Sequence, residues 1–390
     1  MRSALASLPE RVLLGPGPSN VHPRVMRAIS APVIGHLDPA FISVMEELKE
    51  LLRKVFCTRN EFTIPFSGTG SAGMEAALAN MIEPADSVIV CINGVFGTRM
   101  KEIAERCGAN VVTVEAPWGS AIDAGDVEKA MKVTPGVKLV AFVHAETSTG
   151  VLQPVDDICR LAHEHGALVL ADTVTSLGGA PVLTDDWGLD IVYSGTQKCL
   201  SCPPGLAPVT FNERALNVIR GRKTKVQSWY LDATMLMRYW GEERVYHHTA
   251  PISMNYALCE ALHLVLEEGL EARWKRHVRN HLALVAGIEA MGLSMAVKEA
   301  VRAPMLNAVA VPDGIDEKRV RRSMLDGMNV EIGAGLGPLA GKIWRIGLMG
   351  YSSRPENVLT CLSALNAALR EQGKRCPDGL NAAIDAFQTD

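Results

Sequence analysis

The sequence predicts an α/β protein, with a large domain built on a mostly parallel central sheet covered by helices and a smaller α+β domain at the C-terminus. Two observations predict the large domain. Strand-like and helix-like segments alternate from Glu61 onward, and the strand-like segments are almost continuously apolar, as in parallel strands that are buried on both faces. A third observation predicts the second domain: after Pro251 the regular alternation gives way to long helical segments and a few short strand-like ones.

The elements of the large domain follow from local signals along the chain. Apolar runs predict the strands, and the amphipathic or small-residue runs between them predict the helices. Gly108 and Gly166 are typical of helix ends, and Asp123 is a typical N-cap. The predicted strands cover residues 62–66, 87–92, 111–114, 138–143, 167–172 and 191–193, and the predicted helices cover 72–82, 98–107, 124–131 and 155–165.

The remaining segments divide the chain into three parts. The first residues lack the cleavage pattern of a targeting peptide, so we expect them to form an N-terminal arm. After Pro251, helical and short strand-like segments alternate irregularly; they cover residues 254–268, 271–291, 308–311 and 344–347. The predicted parts are an arm over 1–20, a large domain over 21–268 and a small domain over 269–390.

Composition and charge exclude several classes of function. With a net charge of −4 and a pI of about 6.2, the chain has no electrostatic footprint for nucleic acid or an anionic membrane. Its apolar runs are also shorter than the about 20 residues that a membrane span needs. Nine irregularly spaced cysteines indicate free thiols in a reducing compartment, so we expect a cytoplasmic protein.

Two of the cysteines, Cys199 and Cys202, form a C-x-x-C pair. The sequence has no second pair that would complete a zinc site, and Pro203–Pro204 follow directly. We therefore expect no metal site, and structural thiols rather than a redox pair.

Two side chains at the ends of predicted strands point to the chemistry of the protein. The strand at 191–193 breaks at Ser194–Gly195 and leads to Lys198, and the strand before it ends in Asp172. A lysine amine can form a Schiff base with an aldehyde cofactor, and a carboxylate can keep a ring nitrogen protonated, which is the pairing that pyridoxal phosphate (PLP) needs. The same two residues could also be a surface lysine and a helix-capping aspartate without a catalytic role. The other motifs in the sequence decide between these two interpretations.

A glycine-rich turn, Ser67–Gly73, follows the first strand and opens a helix. Its small residues let backbone N–H groups approach an anion, and Thr69 and Ser71, on either side of Gly70, add hydroxyl donors. The turn also fits the G-x-G-x-x-G pattern, which makes an NAD enzyme the alternative from another class. That pattern needs a carboxylate where this chain has Asn93–Gly94, so the turn suits a phosphate monoester better.

Two further loops lie at strand ends. Phe96 is flanked by Gly94 and Gly97 after the second strand, and a flat cofactor ring could stack on it. Thr147 follows the fourth strand and supplies a hydroxyl. Ligands of open α/β sheets bind at the carboxyl ends of the strands, so we expect all these side chains to meet there.

In this order, the residues described so far resemble the class V aminotransferases of PLP fold type I, with the closest likeness to alanine–glyoxylate and serine–pyruvate (or serine–glyoxylate) aminotransferases. The resemblance extends over nearly the whole chain. Six motifs carry it, and their shared order makes it specific: residues 15–20 (GPGPSN), 148–154 (STGVLQP), 194–198 (SGTQK), 246–249 (YHHT), 335–338 (GLGP) and 345–348 (RIGL).

The resemblance implies a role for each candidate residue. Lys198 would bind the cofactor as a Schiff base and shuttle a proton, and Asp172 would pair with the ring nitrogen. Gln197 would join the glycine-rich turn at the phosphate, and Arg345 would hold the substrate carboxylate. Members of the family complete the phosphate site with a tyrosine and a threonine from a second subunit; here these are Tyr246 and Thr249, so a homodimer with shared active sites is expected.

Two positions depart from the family pattern. Phe96 stands where the most similar relatives often carry tryptophan, so stacking is retained on a smaller ring without an N–H group. Thr147 stands where serine is common, and the hydroxyl is retained.

The predicted function is an aminotransferase that moves an amino group from alanine or serine to glyoxylate or pyruvate. Two specialised relatives remain as alternatives, a ureidoglycine–glyoxylate and a pyridoxamine–pyruvate transaminase; the tail after Cys376 would suit either. A lyase of the cysteine desulfurase type is disfavoured, because it needs a mobile catalytic cysteine and no cysteine lies in an obvious Gly/Ser-rich loop.

Overall fold

The computed structural model describes residues 4–388; residues 1–3 of the predicted arm and 389–390 of the predicted small domain lie outside it. Its strands are β1 Val12–Leu13, β2 Phe62–Ser67, β3 Ser87–Ile92, β4 Asn110–Glu115, β5 Val137–Val143, β6 Ala145–Glu146, β7 Val151–Leu152, β8 Leu168–Asp172, β9 Ile191–Tyr193, β10 Leu206–Phe211, β11 Leu306–Ala310, β12 Val330–Glu331, β13 Gly333–Ala334 and β14 Ile343–Gly347. The eight predicted strands, now β2, β3, β4, β5, β8, β9, β11 and β14, begin and end within two residues of the predicted positions, and the other strands were not predicted.

The helices lie between these strands and dominate the C-terminal part. Asp123 is the N-cap of α5, as predicted, and its side chain accepts a hydrogen bond from Gly125 N. The helices are α1 Pro23–Ile29, α2 Pro39–Val55, α3 Gly70–Met81, α4 Val95–Arg106, α5 Ala124–Val133, α6 Asp156–Glu164, α7 Glu213–Arg220, α8 Ala233–Trp240, α9 Ile252–Glu268, α10 Leu270–Ala290, α11 Glu317–Met328, α12 Pro355–Arg370 and α13 Leu380–Gln388.

The central sheet of the described chain has seven strands in the order β2-β10-β9-β8-β5-β3-β4. Strands β9, β8, β5, β3 and β4 are parallel, and β10 runs antiparallel to both of its neighbours. Because β10 is antiparallel to both β2 and β9, these two strands run in the same direction. The predicted α/β class with a mostly parallel sheet is confirmed, and the carboxyl ends of six strands meet at one edge.

Strand β10 was not predicted, although it lies inside the sheet. Its sequence contains Pro208, and a proline in a run usually argues against an interior strand because it cannot donate a ladder hydrogen bond. Here Pro208 is paired with Pro65 of the edge strand β2. The carbonyl of Pro208 still accepts a hydrogen bond from Ser194 N, 2.8 Å away, which ties β10 to the loop that leads to Lys198.

A second hydrophobic core lies in the C-terminal part. It contains Leu14 and buried residues from Ala283 to Ala383, whereas the main core spans Val25 to Val265. The strand β1 of the predicted arm pairs with β12, and Gly269 separates α9 from α10 with a φ of +82°. The domain boundary at residue 269 stays a prediction.

Candidate active site

Most of the candidate residues lie at the carboxyl edge of the central sheet. A chain of close contacts links the loops after β2, β8 and β9: a Cβ added to Gly70 would lie 3.0 Å from the Val174 side chain and 3.5 Å from Gly195 Cα. The residues at this edge are Thr69, Gly70, Ser71, Phe96, Thr147, Asp172, Gln197 and Lys198, and β14 adds Arg345 from the C-terminal part.

Lys198 is buried on the loop between β9 and β10. Its Nζ donates a hydrogen bond to the carbonyl oxygen of Pro16, and a Cβ on Gly17 would lie 2.5 Å from the same nitrogen. Gly17 also has a φ of +106°, so this close approach of the N-terminal segment requires glycine. Burial and then the positive charge of Arg345 lower the pKa of Lys198 to about 8.

Asp172 ends β8 and is 2% exposed. Its Oδ1 accepts a hydrogen bond from Val174 N at 2.8 Å, and its Oδ2 accepts one from the Tyr193 hydroxyl at 2.6 Å. Burial, opposed by these two donors, raises the pKa of Asp172 to about 6. The carboxylate is therefore fixed in one orientation, and its negative charge is costly unless a cationic partner is present.

Tyr193 is a positioning residue that sequence reasoning missed. It is fully buried at the end of β9, and the register of the parallel pair places it directly opposite Asp172. The signal was present in the sequence, because both residues end neighbouring predicted strands. The pairing could not be used without knowing that β8 and β9 are adjacent and in this register.

The glycine-rich turn leads into the N-terminus of α3. Thr69 is the N-cap, and its side chain makes no capping hydrogen bond. Ala72 N donates to Thr69 O at 2.7 Å, whereas Gly70 N and Ser71 N have no acceptor among the described residues and are available to an anion. Gln197 lies beside the turn, and its buried Oε1 has no hydrogen-bond partner among the described residues.

Glu146 fixes the start of α4 and was also missed. Its Oε2 accepts hydrogen bonds from Phe96 N at 3.1 Å and Gly97 N at 3.4 Å, and its Oε1 accepts one from Ser148 Oγ at 2.6 Å. A Cβ on Gly94 would lie 2.4 Å from this side chain, so the glycine admits the carboxylate. The buried carboxylate thereby fixes the backbone from which the Phe96 side chain projects. Phe96 itself is half-buried.

Arg345 and Thr147 connect the two parts of the protein. The Arg345 side chain is buried, donating from Nε to Ala334 O at 2.6 Å and from Nη1 to Thr147 O at 2.9 Å. Within residues 4–388, Nη2 has no hydrogen-bond partner. Burial lowers the pKa of Arg345 to about 10, so the guanidinium stays charged at neutral pH. The hydroxyls of Thr147 and Thr175 contact each other.

Tyr246 and Thr249 do not point into the site of their own chain. Both are exposed, Tyr246 by 57%, and their hydroxyl oxygens are 3.5 Å apart. Between them, His248 Nε2 lies 2.7 Å from Ser67 Oγ. The segment therefore passes beside the glycine-rich turn while the two predicted phosphate donors face outward.

The C-x-x-C pair is buried. Cys199 and Cys202 are at most 1% exposed, and burial raises the pKa of both thiols. Cys199 donates a hydrogen bond to Thr175 O at 3.3 Å. These contacts agree with structural thiols.

The residues present fit PLP. A phosphate suits the N-terminus of α3, where backbone N–H groups and the hydroxyls of Thr69 and Ser71 can donate hydrogen bonds. A protonated ring nitrogen would supply the cation that the buried Asp172 lacks, and Phe96 offers a ring for stacking. Lys198 is the buried amine with a lowered pKa that an aldehyde requires.

Comparisons with known proteins agree with this chemistry. Residues 12–359 match the aminotransferase class V family. The (S)-ureidoglycine–glyoxylate transaminase of Bacillus subtilis is 44% identical, over 97% of this chain and 96% of that protein. The crystal structure of an alanine–glyoxylate aminotransferase from Nostoc sp. has 48% identity and a TM-score of 0.93, covering 95% of this chain and 98% of that one.

The pyridoxamine–pyruvate aminotransferase of Mesorhizobium loti has 32% identity and a TM-score of 0.94, covering 100% of both chains. Among residues 4–388, no helix is long and apolar enough to cross a membrane. The family, the fold and the cofactor were predicted from the sequence, and all three are confirmed. The chain belongs to the class V aminotransferases of fold type I, and it is a PLP-dependent enzyme that transfers amino groups.

Proposed function

We propose that this chain transfers an amino group from a small amino acid, alanine or serine, to glyoxylate or pyruvate. The observation that carries the proposal is Arg345, a buried guanidinium with Nη2 left over for a ligand. Amino acids and 2-oxo acids share an α-carboxylate, which a guanidinium binds through two parallel hydrogen bonds. The names of the similar proteins, with glyoxylate or pyruvate as acceptor, support the same acceptors here.

Lys198 and Asp172 carry the catalysis in this proposal. PLP supplies an electron sink for the negative charge that develops at the substrate Cα. Lys198 would hold the aldehyde carbon of the cofactor, and its amine would act as the base that moves the proton at the substrate Cα. Its pKa of about 8 leaves part of the amine unprotonated near neutral pH, as both roles need. Asp172 accepts a hydrogen bond from the ring nitrogen and favours its protonated form.

The other candidates bind and orient. Thr69, Gly70, Ser71 and Gln197 hold the phosphate, Phe96 stacks on the ring, and Thr147 adds a hydroxyl beside it. Pro16 and Gly17 of the N-terminal segment lie against Lys198.

A substrate panel tests the choice of amino donor. The holoenzyme is mixed with one donor at a time, and conversion of the cofactor to its amine form is followed by its absorption. We expect fast conversion with alanine or serine and return of the starting spectrum with glyoxylate or pyruvate. Ureidoglycine is the second candidate donor, favoured by the relative at 44% identity. Conversion by pyridoxamine alone would contradict a small amino acid as donor.

The Arg345→Lys variant tests the carboxylate clamp. A lysine cannot reproduce the planar fork, and a charged hydrogen bond contributes about 1.5–3 kcal/mol, so KM for alanine and glyoxylate should rise by roughly tenfold or more. Binding of an amine without a carboxylate, such as pyridoxamine, is the control and should be almost unchanged. Equal losses for both kinds of substrate would refute the clamp.

We further infer that the protein is a homodimer in which each active site is shared. Tyr246 and Thr249 are the support: they are exposed, their hydroxyls lie together, and they sit beside the glycine-rich turn without entering it. In a dimer with the two turns close to the symmetry axis, these hydroxyls would reach the phosphate of the partner.

Mixing two inactive variants tests the shared site. Thr249→Glu places a carboxylate next to the phosphate and should expel the cofactor by like-charge repulsion, whereas Lys198→Ala removes the catalytic amine. A mixed dimer contains one site with both Lys198 and Thr249 intact, so co-refolding should restore activity in proportion to the heterodimer. Thr360→Glu, a new charge on the exposed face of α12, is the control and should stay active. Inactive heterodimers would show that the segment does not serve the partner.

Two broader features remain proposals. We place the enzyme in the cytoplasm because its nine cysteines are free, which suits a reducing compartment. We also propose that residues 21–268 and 269–390 form the large and small domains, supported by the two separate hydrophobic cores.

A further inference from the structure

The proposed phosphate site lacks a positive charge. A phosphate monoester carries close to two negative charges at neutral pH. Its proposed ligands are backbone amides, the hydroxyls of Thr69 and Ser71 and the amide of Gln197, all of them neutral. His248, which contacts Ser67 beside the turn, does not supply the charge, because burial lowers the pKa of its imidazole to about 4.

Arg99 lies next to this site. It follows Phe96 by one helical turn on α4, so the two side chains share a face of the helix. The guanidinium Cζ is 5.0 Å from the centroid of the Phe96 ring, and Nη1 donates a hydrogen bond to Ser71 Oγ at 3.3 Å. The cation is thus held between the ring that would stack on the cofactor and a hydroxyl of the glycine-rich turn.

The charge of Arg99 is not balanced by the protein. Two other cations of α4 form ion pairs within the helix, Lys101 with Glu105 at 2.6 Å and Arg106 with Glu102 at 2.7 Å. Among the residues that the structure describes, no carboxylate lies within ion-pair distance of Arg99. An exposed, unpaired guanidinium beside an anion site is free to bind the anion.

We propose that Arg99 is a cofactor-binding residue whose guanidinium donates to the phosphate bound at the N-terminus of α3. The proposal rests on the proposed PLP site and adds its counter-charge. Glu146 fixes the start of α4, and this fixes the backbone positions of both Phe96 and Arg99 relative to the sheet edge. A charged hydrogen bond to a dianion also gives the site a preference for the phosphorylated form of the cofactor.

Comparing PLP with pyridoxal, which lacks the phosphate, tests this role. Equilibrium dialysis of the full-length, cofactor-free protein gives a Kd for each compound. We expect Arg99→Gln to raise the Kd of PLP by about tenfold or more, the range of one charged hydrogen bond, and to leave that of pyridoxal within twofold. Arg99→Lys keeps the charge and should recover part of the affinity for PLP.

The controls separate this role from its alternatives. Arg106→Gln removes a cation from the same helix without touching the site, and both Kd values should stay unchanged. Equal losses of PLP and pyridoxal in Arg99→Gln would mean that Arg99 acts through the Phe96 ring, and equal Kd values for wild type and variant would mean a solvated surface arginine. Either result overturns the proposal. If wild-type protein bound no PLP, the proposed function itself would fail, so the two failures are distinguishable.

Discussion

Replacing Lys198 with alanine should abolish transamination while leaving PLP bound. The variant loses both the group that holds the aldehyde carbon and the base at Cα, so turnover should fall by roughly a thousandfold or more. The phosphate site is untouched, and the cofactor should therefore remain bound, with the absorption of the free aldehyde. Rates and spectra of the purified variant check both statements.

A small primary amine sharpens the Lys198 experiment. The alanine side chain leaves a cavity where the buried lysine lay, and an added amine of suitable size can occupy it and accept the Cα proton. Partial recovery of the rate with added methylamine would support the base role. Lys225→Ala, at an exposed position, is the matched control and should keep full activity. A Lys198→Ala variant with normal turnover would end the assignment.

Asp172→Asn should have the second-largest effect. The neutral amide no longer favours a protonated ring nitrogen, so Cα deprotonation should slow by about a hundredfold or more although the hydrogen bond with Tyr193 can still form. A primary kinetic isotope effect with deuterium at Cα should rise, because that step becomes rate-limiting. Asp186→Asn, at an exposed position, serves as the control. An Asn variant that turns over like wild type would refute the role.

The raised pKa of Asp172 predicts that the stability of the cofactor-free protein depends on pH, and the Asp172→Asn variant tests this. The folded-state pKa of Asp172 is raised from 3.8 to about 6, so the folded protein binds this proton more tightly than the unfolded chain. The contribution of this group is present in full below pH 4 and is lost as the pH rises through 6. Apo Asp172→Asn should therefore be more stable than apo wild type at pH 8, by up to about 3 kcal/mol, with little difference at pH 4. Urea unfolding at the two pH values measures this.

Much of the fold and the site could be predicted because the chemistry lies at strand ends. Asp172 and Lys198 each follow a short, wholly apolar run, and such runs are read without knowing the partners of the strands. Once the sheet was expected to be parallel, these ends had to share an edge. The glycine-rich turn was informative for a related reason, since a helix N-terminus binds anions by virtue of its backbone alone.

The residues that were missed act through pairings that a sequence does not state. Tyr193 reaches Asp172 only because β9 lies beside β8 in one register, and Glu146 reaches α4 across 50 residues of chain. Arg99 is one of several charged residues on α4, and only the observed ion pairs of Lys101 and Arg106 distinguish it from them. Strand β10 was not predicted because a proline, Pro208, argues against an interior strand. The carbonyl of Pro208 nevertheless accepts a hydrogen bond from Ser194 N.

The most direct test of the central claim is to locate the cofactor on the chain. Borohydride reduction of the yellow holoenzyme fixes PLP covalently to the lysine that holds it, and peptide mapping by mass spectrometry identifies that residue. The buried Nζ beside Asp172 and Arg345 predicts a single adduct at Lys198. An adduct on any other lysine, or a protein that stays colourless with excess PLP, would contradict the account.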